Sequence, residues 1–231
     1  MISWGDRRDR ADLPRYSHRS YNGIYHPGKI FLIMNPESIQ GPRHHDPRAV
    51  FSIEKAAGLD TRLRHLIYRP DQLAERIAKP GNRVLDFGCG PGFFTRGFAK
   101  RVGENGQVVS ADLQAGMLAI VRQKMDAEGL GRRVKTHQCR PDSIGLPKEM
   151  NGTFDTATAI FVVHEVPDPE KLFREIASLL RPGGTFFFSE PPFLVPGREF
   201  AEKIALAESC GFRLVKRSWY FVNRAATFTR G

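Results

Sequence analysis

From about residue 81 the apolar and polar positions settle into a regular rhythm. Val84-Leu85-Asp86-Phe87 is a short apolar run of strand length, and residues 91–101 repeat Phe94, Phe98 and Ala99 at helical spacing. The same alternation continues with a strand over 107–111, a helix over 115–128, a strand over 134–137 and a strand within 153–163. A helix over 169–180, a strand over 185–189 and a helix over 197–210 follow, and strands over 212–222 and 226–229 close the chain. Strands alternating with helices of this length predict right-handed crossovers and a parallel sheet. The last two strands have no helix between them, so the final one is expected to run antiparallel to its neighbour.

Residues 1–69 have a different texture. Pro14, Pro27, Pro36, Pro42 and Pro47 punctuate them, and five of the seven histidines fall here. A helix is expected over 47–66, and another over 70–78 with Pro70 and Asp71 in its first turn. The organisation expected is therefore an N-terminal extension, 1–69, ahead of a domain spanning 70–231.

The chemistry concentrates where the first strand meets its helix, in Asp86-Phe87-Gly88-Cys89-Gly90-Pro91-Gly92-Phe93. Glycines let a ligand approach the backbone, and the helix that follows offers free N–H groups. A dinucleotide site wants G-x-G-x-x-G, and Phe93 stands at the third glycine position. Asp86 at the strand end suits a cation better than a pyrophosphate. S-adenosylmethionine (SAM) carries an ammonium and a sulfonium and no phosphate, so the electrostatics favour it over NAD. Asp112 ends the second strand, where a carboxylate can accept from both ribose hydroxyls. Asp142, after the third strand, can accept from an adenine amino group.

The series VLDFGCGPGFFT, SADLQAGML, RPDS, FDTATAIFVVHEVPDP and LLRPGGTFFFSEP resembles the class I SAM-dependent methyltransferases over about residues 72–229. It is most similar to the small-molecule branch that includes ubiquinone/menaquinone-biosynthesis-like enzymes. The resemblance implies a Rossmann-like α/β fold. Its seven-stranded sheet would be mostly parallel, with an antiparallel last strand and helices on both faces. It implies that Asp86, Gly88 and Gly90 line the methionine moiety, with Asp86 near its ammonium directly or through a water. Asp112 would hold the ribose, Leu113 and Met117 would flank the adenine, and Asp142 would meet the adenine amino group beside the Ser143 amide. Ile160 and Phe161 would lie beside the methionine and sulfonium. The Arg181-Pro182-Gly183-Gly184 turn would set the fifth strand.

His164 and Glu165 sit just past the fourth strand, at the edge where open α/β sheets bind ligands. They are the candidate catalytic residues, with His164 as a general base or, on the plainer reading, a packing histidine. Glu190-Pro191-Pro192-Phe193 resembles a motif of enzymes that methylate nucleic-acid amino groups. In those enzymes it follows the fourth strand and here it follows the fifth, which argues against base N-methylation.

Charge changes the picture little. The net +10 divides into 12 Lys/Arg against 7 Asp/Glu over 1–70 and 23 against 18 over 71–231, or +5 each, with no dense basic block. A small-molecule acceptor is therefore favoured over a nucleic acid. The chain has no apolar run of bilayer length and no secretory h-region. Cys89, Cys139 and Cys210 are too scattered for a disulfide framework or a zinc site, and no metal is expected. Adjacent His44 and His45 read as solvated loop. The expected setting is cytoplasmic. The reading is a SAM-dependent methyltransferase that acts on a small acceptor and releases S-adenosylhomocysteine (SAH). The alternatives are an RNA or protein methyltransferase and a non-catalytic SAM-binding module.

Overall fold

A computed structural model of the chain describes residues 68–231, which all belong to one compact unit. The helix expected over 47–66 and the histidines at 44 and 45 lie outside the described residues. Within them, α1 (Pro70–Ile77) leads into β1 (Arg83–Phe87), α2 (Phe93–Val102), β2 (Gln107–Asp112) and α3 (Ala115–Ala127). Then come β3 (Val134–Gln138), β4 (Phe154–Ile160), α4 (Pro169–Leu179) and β5 (Leu180–Glu190). The chain finishes with α5 (Gly197–Ser209), β6 (Phe212–Tyr220) and β7 (Asn223–Arg230).

The seven strands form one sheet in the order β3-β2-β1-β4-β5-β7-β6. β1 pairs in parallel with both β2 and β4, β2 with β3, and β4 with β5. β7, inserted between β5 and β6, runs antiparallel to both. The order reverses at β1: the chain builds outward to β3, then crosses back to lay β4 on the other side. Loops leaving β1 and β4 diverge to opposite faces there, which opens a crevice at the carboxyl ends of those strands.

The strand composition follows from burial on both faces. Leu85, Val109, Ala157, Ala159, Phe186 and Phe188 join one core with α4 and α5, through residues such as Phe173, Ile176, Phe200 and Ile204. The alternate positions Val84, Val108, Phe187 and Ala225 join a second core with α1, α2 and α3. Helices therefore cover both faces, and the strands read as continuous apolar runs rather than clean alternations. Helix α4 begins on a cap in which Asp168 accepts from the Lys171 amide at 2.9 Å, with Pro169 in the first position.

β5 is longer than its apolar run. It spans Leu180–Glu190, because Leu180 already pairs with Phe154 before Thr185 pairs with Thr156. The expected turn at residues 181–184 is an outward excursion inside that strand, with Gly183 at φ 72° and Arg181 Nε donating to Asp155 Oδ1 at 2.8 Å.

Phe186 sits at the middle of an aromatic cluster. Its ring centroid lies 5.7 Å from Phe173, 5.0 Å from Phe212 and 5.9 Å from Phe228, and the side chain is fully buried. Truncation to Phe186→Ala is expected to cost about 3–5 kcal/mol of unfolding free energy, as large-to-small changes in packed cores do. Urea denaturation checks this, and a loss below about 1 kcal/mol would mean that the cluster is loosely packed.

Candidate active site

The turn after β1 is built for close approach. Gly88, Gly90 and Gly92 all have positive φ, at 67°, 52° and 85°. A Cβ on Gly88 would stand 2.4 Å from a Val162 methyl, so only glycine lets β4's exit loop pack against this turn. A Cβ on Gly90 would meet no atom within 4 Å, and Gly90 lines a cavity. Any side chain there would occupy ligand space.

Asp112 ties this turn to the end of β2. Its Oδ2 accepts from the Gly90 amide and its Oδ1 from the Gln114 amide, both at 2.9 Å. Burial pushes the carboxyl above its ordinary value, and the amides of Gln114, Gly90 and Leu113 work against that rise. A carboxylate offers about four acceptor sites, so capacity remains beyond the backbone partners, as a pair of ribose hydroxyls would need.

The cavity measures about 630 Å³, within the roughly 300–1,000 Å³ common for ligand sites. It brings together Gly88, Gly90, Asp112, Leu113, Met117, Asp142, Ser143, Ile160, Phe161, His164 and Glu165. Met117 and Ile160 are buried, whereas Asp142 stands exposed at the rim, 3.2 Å from Lys171 Nζ. The Lys171 hydrogen bond and charge hold the Asp142 carboxyl below its ordinary value. Phe161 adopts φ 61°, an uncommon conformation for a bulky residue, and its amide donates to Ser189 O at 2.8 Å.

Asp86 departs from the expectation. It does not line the cavity but lies beneath the turn, 2% exposed, where Thr95 Oγ1 donates to it at 2.7 Å and Thr158 Oγ1 at 3.0 Å. The cause is sheet register: Asp86 is still within β1, so its side chain points into the interior between α2 and β4, and the turn begins only at Gly88.

The largest feature the sequence reading missed is Glu190. It ends β5 with no exposed surface, its Oε2 lies 2.6 Å from His164 Nδ1, and its Oε1 accepts from the His164 amide at 3.2 Å. Burial works against charge on the imidazole, but the Glu190 hydrogen bond and charge outweigh it, and the ring's pKa is raised. Glu165 is raised by burial. A carboxylate at the carboxyl end of a central strand, one strand from a histidine at the same edge, was the available signal. Tyr68, Phe93, Phe94 and Phe193 also line the cavity and were not singled out as site residues. Cys89 and Cys139 line it as well, but burial lifts both thiols, Cys139 to about 12, so neither is a ready thiolate. Among the described residues no cluster of three or more His, Cys, Asp or Glu is arranged to hold a metal, and no helix is long and apolar enough to cross a membrane.

The donor set fits SAM. The glycine turn leaves space at Gly90, a buried carboxylate waits for hydroxyls, and the turn brings no cation that would pair with a pyrophosphate. Asp86 beneath it adds negative character that a sulfonium and an ammonium would favour.

Burial pushes the Asp86 carboxyl from 3.8 up to about 6, partly countered by Thr95 and Thr158. Between about pH 4 and 6 the folded state therefore holds a proton that the unfolded chain has released, so this group's contribution to stability falls as pH rises. Asp86→Asn cannot ionise. The stability of wild type relative to Asp86→Asn is expected to drop by on the order of 3 kcal/mol from pH 4 to 7, read by urea unfolding at each pH. A difference that stays flat with pH would remove the buried-acid assignment.

Residues 84–184 match the family model described as "Methyltransferase domain". Over 119 residues the chain is 36% identical to the ubiquinone/menaquinone biosynthesis C-methyltransferase UbiE of Vibrio vulnificus, an alignment covering 50% of this chain and 45% of that protein. Over 121 residues it is 38% identical to the ubiquinone biosynthesis O-methyltransferase of Xanthomonas campestris, covering 52% and 48%. The chain thus spans about half the length of the curated relatives it matches. A SAM-dependent methyltransferase structure from Aquifex aeolicus superposes with a TM-score of 0.71 at 24% identity, covering 79% of this chain and all of that one, which is a likeness of fold. Together with the sheet order and the turn chemistry, these matches make residues 84–184 similar to a methyltransferase domain.

Proposed function

We propose that this chain transfers a methyl group from SAM to a small-molecule acceptor and releases SAH. The observation that carries the reading is the Asp112 carboxylate, fixed by the Gly90 and Gln114 amides at the wall of a cavity bordered by a side-chain-free turn. In this reading Gly88 and Gly90 hold the methionine end and Asp112 the ribose. Leu113 and Met117 flank the adenine, with Asp142 and the Ser143 amide at its edge. Ile160 and Phe161 bound the region of the sulfonium. Asp86 supports the turn from below rather than touching the ligand. When bound, SAM supplies an electrophilic methyl carbon, whose bond to sulfur breaks with the electron pair left on sulfur as the acceptor's bond to it forms. The chain's own work is alignment and the exclusion of water by an apolar wall.

The ubiquinone-biosynthesis names of the relatives support a small acceptor, and they include both a C- and an O-methyltransferase. The absence of a dense basic block in the sequence points the same way. His164 and Glu165 stand on the cavity wall as the groups able to move a proton for the acceptor. Three unpaired thiols support a reducing, cytoplasmic setting.

Calorimetric titration with SAH is expected to show binding by wild type, about tenfold or greater weakening in Asp112→Ala, and no binding of NADH; the loss corresponds to about 1.5–3 kcal/mol for hydrogen bonds to a charged group. SAH binding unaffected by Asp112→Ala would remove the ribose assignment. NADH binding in place of SAH would overturn the function.

Tyr68, where the described residues begin, lines the cavity and packs its ring 5.5 Å from Phe161; the part in the acceptor site expected of residues 1–69 lies outside the described residues.

A further inference from the structure

We propose that the tip of the β6–β7 hairpin, with the loop after β5 and one side of α1, docks on an anionic lipid bilayer. Between Phe212 and Gly231 the chain carries Arg213, Lys216, Arg217, Arg224 and Arg230 and no acidic side chain. The turn of this basic hairpin is Phe221-Val222, reached through Trp219 and Tyr220. Trp219 is 63% exposed, Phe221 55% and Val222 52%. Phe193, 81% exposed, and Leu194 project from the loop after β5. Arg224 joins the two segments. It pairs with Trp219 across the hairpin, its guanidinium carbon lies 5.5 Å from the centre of that ring, and its Nη1 donates to Val195 O at 3.1 Å. The exposed apolar side chains therefore share one edge of the sheet, beside the cavity that Phe193 and Leu194 also line.

Turn geometry does not account for this tip. Phe221 opens a two-residue hairpin loop at φ 57°, a position where glycine or asparagine avoids the steric conflict. A bulky ring there costs stability, and more than half of it meets water. An outlier of this kind points to a task outside the packing of the fold. Charges on an exposed edge strand also block pairing with further strands, which suffices for Lys216 and Arg217. It gives no reason for aromatic and aliphatic side chains at the tip.

Between α1 and the hairpin runs a groove of about 150 Å³, whose lining includes Arg69, Gln72, Arg76, Trp219 and Phe221. Asp71 and Glu75 belong to the same helix and do not line it, so the cations and carboxylates of α1 are segregated. Among the described residues neither guanidinium is paired with a carboxylate. Two such groups beside aromatic walls fit the oxyanion of a phosphodiester, which a guanidinium binds through two parallel N–H donors. Around the groove stand the side chains that settle at the depth of lipid headgroups, tryptophan above all. A nucleic acid shares the phosphate chemistry, but Leu194 and Val222 give no face on which a base stacks. A lipid surface takes up both the apolar tips and the cations beside them.

The test is co-sedimentation of the full chain with vesicles of phosphatidylcholine alone or mixed with phosphatidylglycerol. Wild type is compared with Phe221→Gly and with the double variant Arg69→Gln/Arg76→Gln. Wild type is expected to bind the mixed vesicles and to be released as salt rises from about 0.1 M to about 1 M. The double variant is expected to bind about tenfold more weakly or worse, since each cation at an anionic surface contributes roughly a fivefold factor. Phe221→Gly is expected to weaken binding without lowering the urea midpoint of unfolding, because glycine suits φ 57°. Quenching of tryptophan emission by brominated lipid chains is expected in wild type and is expected to fall in Trp219→Phe.

No binding to the mixed vesicles, or equal binding to both kinds, overturns the docking on wild type alone. So does binding that neither variant weakens. Release from the mixed vesicles by millimolar inorganic phosphate would leave a site for a free anion, and tighter retention by single-stranded RNA would make the surface a nucleic-acid one. Either result overturns the bilayer as the occupant. None of these outcomes depends on the reaction proposed above, which SAH titration tests separately.

Discussion

The bridge made by the Asp112 carboxylate, from the Gly90 amide to the Gln114 amide, organises the carboxyl edge of the sheet. It joins the loop leaving β1 to the loop leaving β2, reinforcing the Gly88 and Cys89 amides that donate to Ala111 O at the end of β2. Its position is possible because Gly88 and Gly90 take up left-handed conformations with no side chain in the way. The same turn accepts Val162 from the opposite side, where a Cβ at Gly88 would collide with it. One glycine turn thus holds β1, β2 and β4 in contact at the point where strand order reverses. The cavity is the space those constraints leave.

Much of this was legible in the chain. The period-two and helical patterns carried the α/β alternation, and the missing helix before the last strand carried the antiparallel β7, because both signals are local. The length of β5 was not legible. Its pairing with β4 resumes across the Arg181–Gly184 excursion through Leu180 and Phe154, a long-range match that no local pattern records. The buried position of Asp86 was not legible for a related reason. Its chemistry suggested a cation partner, but the direction of its side chain is set by register within β1, and two threonines far apart in sequence meet it there.

Glu190 was hidden differently. Beside Pro191 and Pro192 it invited comparison with a nucleic-acid motif, and that comparison turned attention to the prolines. Its partner lies 26 residues away on the next strand, so the pair exists only once β4 and β5 are side by side. The ordinary rule that a buried carboxylate needs a partner would have prompted the search, had burial been known.

The site's charge runs against that of the chain. The sequence is net +10, yet Asp112, Glu165 and Glu190 gather at or just behind the cavity wall, and Asp86 lies under the turn. The cations on that wall include Lys171, which is already paired with Asp142. Such a wall attracts a sulfonium and an ammonium and discourages an acceptor that arrives as an anion. The negative edge is therefore the local exception to the chain's positive excess, set where the cofactor of the proposed reaction would bring its two positive groups.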